Sequence, residues 1–391
     1  MLNILDGVKI LDLTRLLPGG YCTLLLADMG AEVLKIEDLG GGDPIRTMEP
    51  LVEGGESAYS YALNRNKKSI RLNLKDEKAQ QIFKQLVKRY DVLVESFRPG
   101  VMDRLNLGYE TLRLENPGLI YCSISGYGQD GPYRQRPGHD INYIATAGIL
   151  GLTGNREGEP VIPAVQIADI GGGGMLAAIG ILAALFRRER TGRGQYIDIS
   201  MLDGVISWLT LYFGYYFTTG RKPERGNEQL NGGQICYNVY KTKDGGYISL
   251  GCLEQKFWDE FCRVIGREDL KHKRFSDREE DFAIMKKLFS ARTRDEFVAL
   301  FKEADTCIEP VLDLHEVVNH PQVIHRRLFK EMPSVNGKHF KMVTHPIKFS
   351  DTEERDDQMA PVLGQHTDEI LTTLGYDEKQ IIKLRSCGAV G

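Results

Sequence analysis

The chain has 391 residues, of which 42% are hydrophobic and 27% charged, and a formal net charge of −4; this is the balance of a chain long enough to bury two or three domain cores. The slight acidic excess leaves no basic surplus to hold a polyphosphate backbone, so nucleic acid is excluded as the expected partner. The seven cysteines (22, 122, 236, 252, 262, 307 and 387) are scattered without a C-x-x-C pair, which predicts reduced thiols rather than a disulfide framework or a zinc site.

The first residues, "MLNILDGVKILDL", place an acidic residue inside an apolar stretch and lack a basic leader, and the apolar run "MLAAIGILAALF" is too short to cross a bilayer. A cytoplasmic protein without membrane contact is expected. Strand and helix periods then alternate. "VKILDL" (8–13) reads as a strand, "YCTLLLADMG" as a helix stopped by Gly30, and "AEVLKIE" as a second strand. "DEKAQQIFKQLVKRY" puts Ala79, Ile82, Phe83, Leu86 and Val87 on one face, with acids at its start and bases at its end, and feeds the strand "DVLVESF". "LIYCSISGYG" (119–128) is a further buried strand. This alternation implies a parallel sheet covered by helices, with ligands at the carboxyl ends of the strands, where Arg15, Asp38, Arg98 and Gly126 fall.

The character changes near Gly194. "GQYIDISMLDGVISWLTLYFGYYFTTG" runs through the Gly/Asn-rich "RGNEQLNGGQ" into "YNVYKTKDGGYISLG", whose Asp244-Gly245 pair predicts a β-hairpin. Polar helices follow, then the β-type "FKMVTHPIKFS", a charged linker 351–361 and a last helix from Thr367. The expected organisation is α/β: a large domain over residues 1–190, a linker 191–225, a smaller α+β domain 226–330, and a segment 331–391 that returns to the large domain.

Three titratable residues stand in apolar, glycine-rich surroundings: His139 beside Asp140, Asp169 in "AVQIADIGGGGMLAAIG", and Glu254 in "YISLGCLEQKFW". Each has a plain structural explanation. Asp169 and Asp140 could be helix N-caps, and Glu254 could open the helix "EQKFWDEFCRVIG". Together they are also the groups that proton transfer at carbon requires, if the fold assembles them. The basic stretch "RNKKSIRLNLK" (65–75) reads as a solvated face or as a seat for a phosphorylated nucleotide.

The segments "GHDINY", "ADIGGGG", "GILAALFRRERTGRGQYIDISMLDG", "VYKTKDGGYISLGCLEQKFW" and "GQHTDEIL" resemble the landmarks of the family III CoA-transferase superfamily, and within it the alpha-methylacyl-CoA racemases. The resemblance runs from residue 5 to about 375. It implies a Rossmann-like large domain, a small domain, and two chains interlocked as a homodimer with the site between them. It implies acyl-CoA as substrate and no cofactor or metal beyond coenzyme A. Asp169 matches the aspartate that transferases acylate and the racemases use as acid/base; His139 matches the racemase histidine, and Glu254 the glutamate that supports it. Leu72, Asn73, Leu74, Lys75, Ser96, Phe97, Arg98 and Arg104 match positions that hold the nucleotide and pyrophosphate, with Gly138 and Asp140 beside the thioester. Backbone N–H groups at Gly138–Asp140 and at Gly171–Gly174 are the expected donors to an enolate oxygen. The chain departs from its relatives in one place, carrying Asp38 where many have arginine after the second strand. The expected reaction is inversion of the α-carbon of a 2-methyl-branched acyl-CoA, and the alternative is transfer of CoA between carboxylic acids through acylated Asp169.

Overall fold

A computed structural model describes residues 1–52, 55–333 and 339–391. The chain divides into two units, one formed by Met1–Ala147, Val165–Trp208 and Ile324–Gly391, the other by Gly148–Ala164 and Leu209–Val323.

The first unit is built on six parallel strands: β1 (Lys9–Leu13), β2 (Glu32–Glu37), β3 (Lys67–Arg71), β4 (Val92–Glu95), β5 (Ile120–Ser125) and β6 (Gln195–Ser200). Their order is β3-β2-β1-β4-β5-β6. β4 and β5 are buried along their whole length, as expected where helices cover both faces of a parallel sheet. β6, at the edge, alternates in exposure. The direction of strand progression reverses between β1 and β4, whose ends are in register at Leu13 and Glu95, so the crevice between their carboxyl ends is the ligand position of this topology.

Helix Glu77–Val87 buries Ala79, Ile82, Phe83, Leu86 and Val87, the five residues that its periodicity assigns to the core, and the Asp76 carboxylate caps it by accepting from Lys78 and Ala79 N–H. Burial of its larger apolar side chains contributes about 1.5–3 kcal/mol each. The first helix starts at Leu16, five residues earlier than its apolar run, because Pro18, with its fixed φ, fits the first turn.

The expected linker 191–225 is structured instead. It contains β6, the helix Met201–Trp208 and the helix Thr210–Thr219. β6 belongs to the sheet because its backbone pairs with β5 over six registers. A 25-residue helical stretch, Ile167–Thr191, is long and apolar enough to span a bilayer, which the shorter run in the sequence hid. Its buried face, including Ala177, Ile181 and Ala184, packs within the unit against β5, β6 and the first helix. It is a core helix of the α/β layer.

In the second unit β7 (Tyr237–Lys241), β8 (Tyr247–Gly251) and β9 (Ile308–Pro310) form an antiparallel sheet. The β7–β8 turn has Gly245 at φ 87, a left-handed conformation that favours glycine. Trp258, Phe261, Phe289, Phe297 and Phe301 fill its core, with Tyr240 stacked on Phe289 at 4.6 Å. In the first unit β10 (Phe329–Pro333) and β11 (His339–Val343) form a separate hairpin. Helices Thr367–Thr373 and Glu378–Ser386 end the chain, one more than expected.

Candidate active site

Asp169 lies in a π-helical stretch, Ile167–Met175, that runs directly into helix Leu176–Thr191. It does not cap that helix. The capping is done by Asp140, whose Oδ2 accepts from the backbone N–H of Ala168 at 2.5 Å and of Asp169 at 3.1 Å. The N-cap readings of both aspartates are thereby corrected: Asp140 opens its own helix, Asp140–Ala147, yet spends its carboxylate on the start of the neighbouring one. Two carboxylates are thus held close together, and burial, followed by the charge of Asp140, raises the pKa of Asp169 to about 7.

His139 precedes Asp140 and is exposed. Its backbone is fixed from several sides: its N–H donates to Asn142 Oδ1 at 3.0 Å, and its carbonyl accepts from Asn142 and Tyr143 N–H. Tyr143, which sequence reasoning missed, braces this turn by donating its hydroxyl to the Gly138 carbonyl at 2.6 Å. Its ring occupies the space that a Cβ at Gly126 or Gly138 would need. A tyrosine one turn into an apolar helix carried no distinguishing signal. The chain therefore joins His139, Asp140 and Asp169 into one construction, with the imidazole left in solvent.

The expected enolate donors fall in two different settings. The His139 N–H is engaged by Asn142. Gly171–Gly174 are not at a helix start but inside the π-helical stretch, and they are buried. Their missing Cβ atoms make room for protein: at Gly172 a Cβ would meet Met201 O at 2.7 Å, at Gly174 Pro18 O at 2.7 Å, and at Gly171 the Trp208 ring. The glycines let two helices approach the backbone that carries Asp169.

Glu254 belongs to the second unit. It occupies the N-cap position of helix Gln255–Val264, its carboxylate does not cap that helix, and it is exposed.

At the carboxyl edge of the sheet, Arg15 follows β1, Asp38 follows β2 and Ser96–Arg98 follow β4. Arg15 donates to Asp38 Oδ2 at 2.8 Å, lies 5.4 Å over the Phe97 ring, and its backbone N–H donates to Ser96 Oγ at 3.0 Å. Asp38 therefore neutralises Arg15. Leu16, next along, has φ 60, a strained conformation for a leucine, held by its N–H on Asp43 Oδ1 at 3.0 Å. Arg98 and Arg104 are exposed.

Of the other positions matched to nucleotide binding, Leu72 is buried in the core. Asn73 is tied to the carbonyls of Gly388 and Ala389, Leu74 packs against the core and Lys75 is exposed. The basic stretch 65–75 is not a solvated face. Arg65 pairs with Asp28 and Lys68 with Glu369. Lys67, 2% exposed, reaches Thr23 Oγ1 at 2.7 Å and Asp12 Oδ2 at 3.3 Å. Burial, opposed by Asp12, lowers the Lys67 pKa to about 8. For Asp12, burial is outweighed by Lys35 and Lys67 and by hydrogen bonds from Thr14 and Thr23, which take it down to about 2. Period-based reasoning places charges outside; here paired charges are cheaper to bury than a lone one.

Among the described residues, one group, Asp313, His315 and Glu316, could converge on a cation, but Glu316 is already paired with Arg294.

The chain belongs to the CoA-transferase family III, which it matches over residues 5–367. It is 36% identical over 395 residues to succinyl-CoA:glutarate CoA-transferase from Homo sapiens, covering 99% of this chain and 90% of that one. It is 35% identical over 396 residues to alpha-methylacyl-CoA racemase from Homo sapiens, covering 98% and 96%. Among solved structures it is similar to a CAIB/BAIF family protein from Brucella suis, with a TM-score of 0.84 and 32% identity over 96% of this chain and 100% of that one. The chain is an enzyme of this CoA-transferase and racemase superfamily, and an acyl-CoA substrate fits it.

Proposed function

We propose that the protein is an alpha-methylacyl-CoA racemase-like isomerase that inverts the carbon next to the thioester of 2-methyl-branched acyl-CoA. The observation that carries this reading is the linkage of His139 to Asp169 through Asp140, with Asp169 holding its proton up to about pH 7. Inversion needs one group to take the α-proton from one face and another to return a proton to the opposite face of the planar enolate. The imidazole of His139 serves as base while protonated Asp169 serves as acid, and the roles exchange for the other epimer. Glu254 supports His139 from the second chain of an interlocked homodimer. The exposed Leu211 and Phe217 (73% and 75%) on helix Thr210–Thr219 support such an interface, since large apolar side chains grouped in solvent mark association. Ser96–Arg98 and Arg104, at the carboxyl edge of the sheet, bind the phosphates of coenzyme A.

The second reading, CoA transfer between carboxylic acids, is favoured by the 36% identity to a succinyl-CoA:glutarate CoA-transferase. The two use Asp169 in different states: transfer acylates it, and inversion only protonates it. Incubation with a 2-methylacyl-CoA in deuterated water is expected to place deuterium at the α-carbon, with His139→Ala at least ~10²-fold slower. Wild-type exchange in that variant would remove His139 from the mechanism. A hydroxylamine- or borohydride-trapped adduct on Asp169, with CoA moved to an added acid, would establish transfer instead.

A further inference from the structure

Glu95 is the last residue of β4, at the switch between β1 and β4, and is 4% exposed. Its Oε2 accepts from the Phe97 N–H at 2.7 Å, and its Oε1 is hydrogen-bonded to the Ser123 hydroxyl. No cation pairs with it among the described residues. The titratable and charged groups around it are Tyr121 and Cys122 on β5, Tyr196 and Asp198 on β6, and Asp103 after the turn. The guanidinium of Arg15, which follows β1, lies over Phe97 and is paired with Asp38. A buried carboxyl among acids and phenols, with no counter-ion, favours its protonated form. In agreement, burial, and then the charges of Asp103 and Asp198, raise its pKa to about 7 against the two hydrogen bonds that oppose them.

We propose that Glu95 is a positioning residue for coenzyme A: as a neutral acid it bridges Phe97 N–H and Ser123 Oγ and shapes the Ser96–Arg98 turn for the pyrophosphate, and as an anion it repels that ligand. In the neutral acid the carbonyl oxygen accepts from Phe97 N–H and the bond to Ser123 reverses from its carboxylate form, the carboxyl proton being donated to Ser123 Oγ. On ionisation it accepts from Ser123 instead and places a negative charge under a turn that must receive phosphate, with no cation paired to it among the described residues. The proposal rests on the reading that Ser96–Arg98 hold the phosphates.

Titration calorimetry with coenzyme A tests it on the wild type, Glu95→Gln, Glu95→Asp and Arg98→Gln, at about pH 6 and about pH 8. Glutamine reproduces the neutral acid, accepting through its oxygen and donating through its amide. If only the protonated form binds well, the wild-type Kd rises about tenfold over this interval relative to Glu95→Gln. The ligand's own phosphate, which titrates near pH 6, affects both proteins alike and cancels in the ratio. Glu95→Asp, too short to span both partners, binds more weakly at both values. Parallel pH profiles for wild type and Glu95→Gln overturn the proposal, even if Arg98→Gln weakens binding and so upholds the phosphate site. Unchanged affinity in Arg98→Gln overturns the phosphate site itself and the proposal with it.

Discussion

Replacing Asp169 by asparagine is expected to stabilise the fold at neutral and alkaline pH while abolishing turnover. The folded chain holds the Asp169 proton up to about pH 7, whereas an ordinary aspartate releases it at 3.8. Between those values the folded state binds more protons than the unfolded state, so stability falls as pH rises through this window, and above it an ionised, half-buried carboxylate beside Asp140 is a standing destabilisation. At 1.36 kcal/mol per pH unit the whole interval would amount to about 4 kcal/mol, but partial exposure and screening reduce it to about 1–2 kcal/mol. Asparagine keeps the shape and removes the charge. Urea unfolding of both proteins at about pH 8 should show the variant more stable by that amount, and at about pH 4 the difference should vanish. Equal stability at pH 8 would refute the reasoning: Asp169 would then be solvated well enough to ionise freely, and the proton that the proposed mechanism returns to the substrate would have no holder.

Three further outcomes follow from the same geometry. Gly204→Ala should destabilise by about 2–3 kcal/mol and lower activity, because its Cβ would lie 2.6 Å from Gly172 Cα in the backbone that carries Asp169; thermal melts paired with rate measurements check it, and an unshifted melt would contradict the close approach. Asp12→Asn, which leaves Lys67 buried without its acid, should lose about 3–5 kcal/mol in urea unfolding, whereas adding Lys67→Met should recover most of that; a double variant no better than the single one would disprove the pairing. Co-expressed His139→Ala and Glu254→Ala chains, each inactive alone, should regain activity as heterodimers, and verified heterodimers without activity would place both residues on one chain.

What the sequence determined by itself was what repeats locally. The core face of Glu77–Val87 and the strands of the sheet were legible because side-chain periods of 3.6 and 2 are set by backbone geometry and by which face avoids water. The resemblance carried by "GHDINY" and "ADIGGGG" named the family because those segments also matched in order and spacing. Tertiary structure decided the uses of residues whose partners are distant in the chain. Asp140 satisfies the N–H groups of Ala168 and Asp169, not of its own helix, since a carboxylate caps whichever unsatisfied donors packing brings to it. Gly171–Gly174 admit helices rather than a ligand, and no local pattern separates the two. Lys67 and Arg65 read as solvent-facing until Asp12 and Asp28 meet them in the interior. Glu95 carried no signal at all, being one acid at the end of a buried strand; its chemistry follows from what the fold withholds, a cation and water, and that is settled only once β1, β4, β5 and β6 lie side by side.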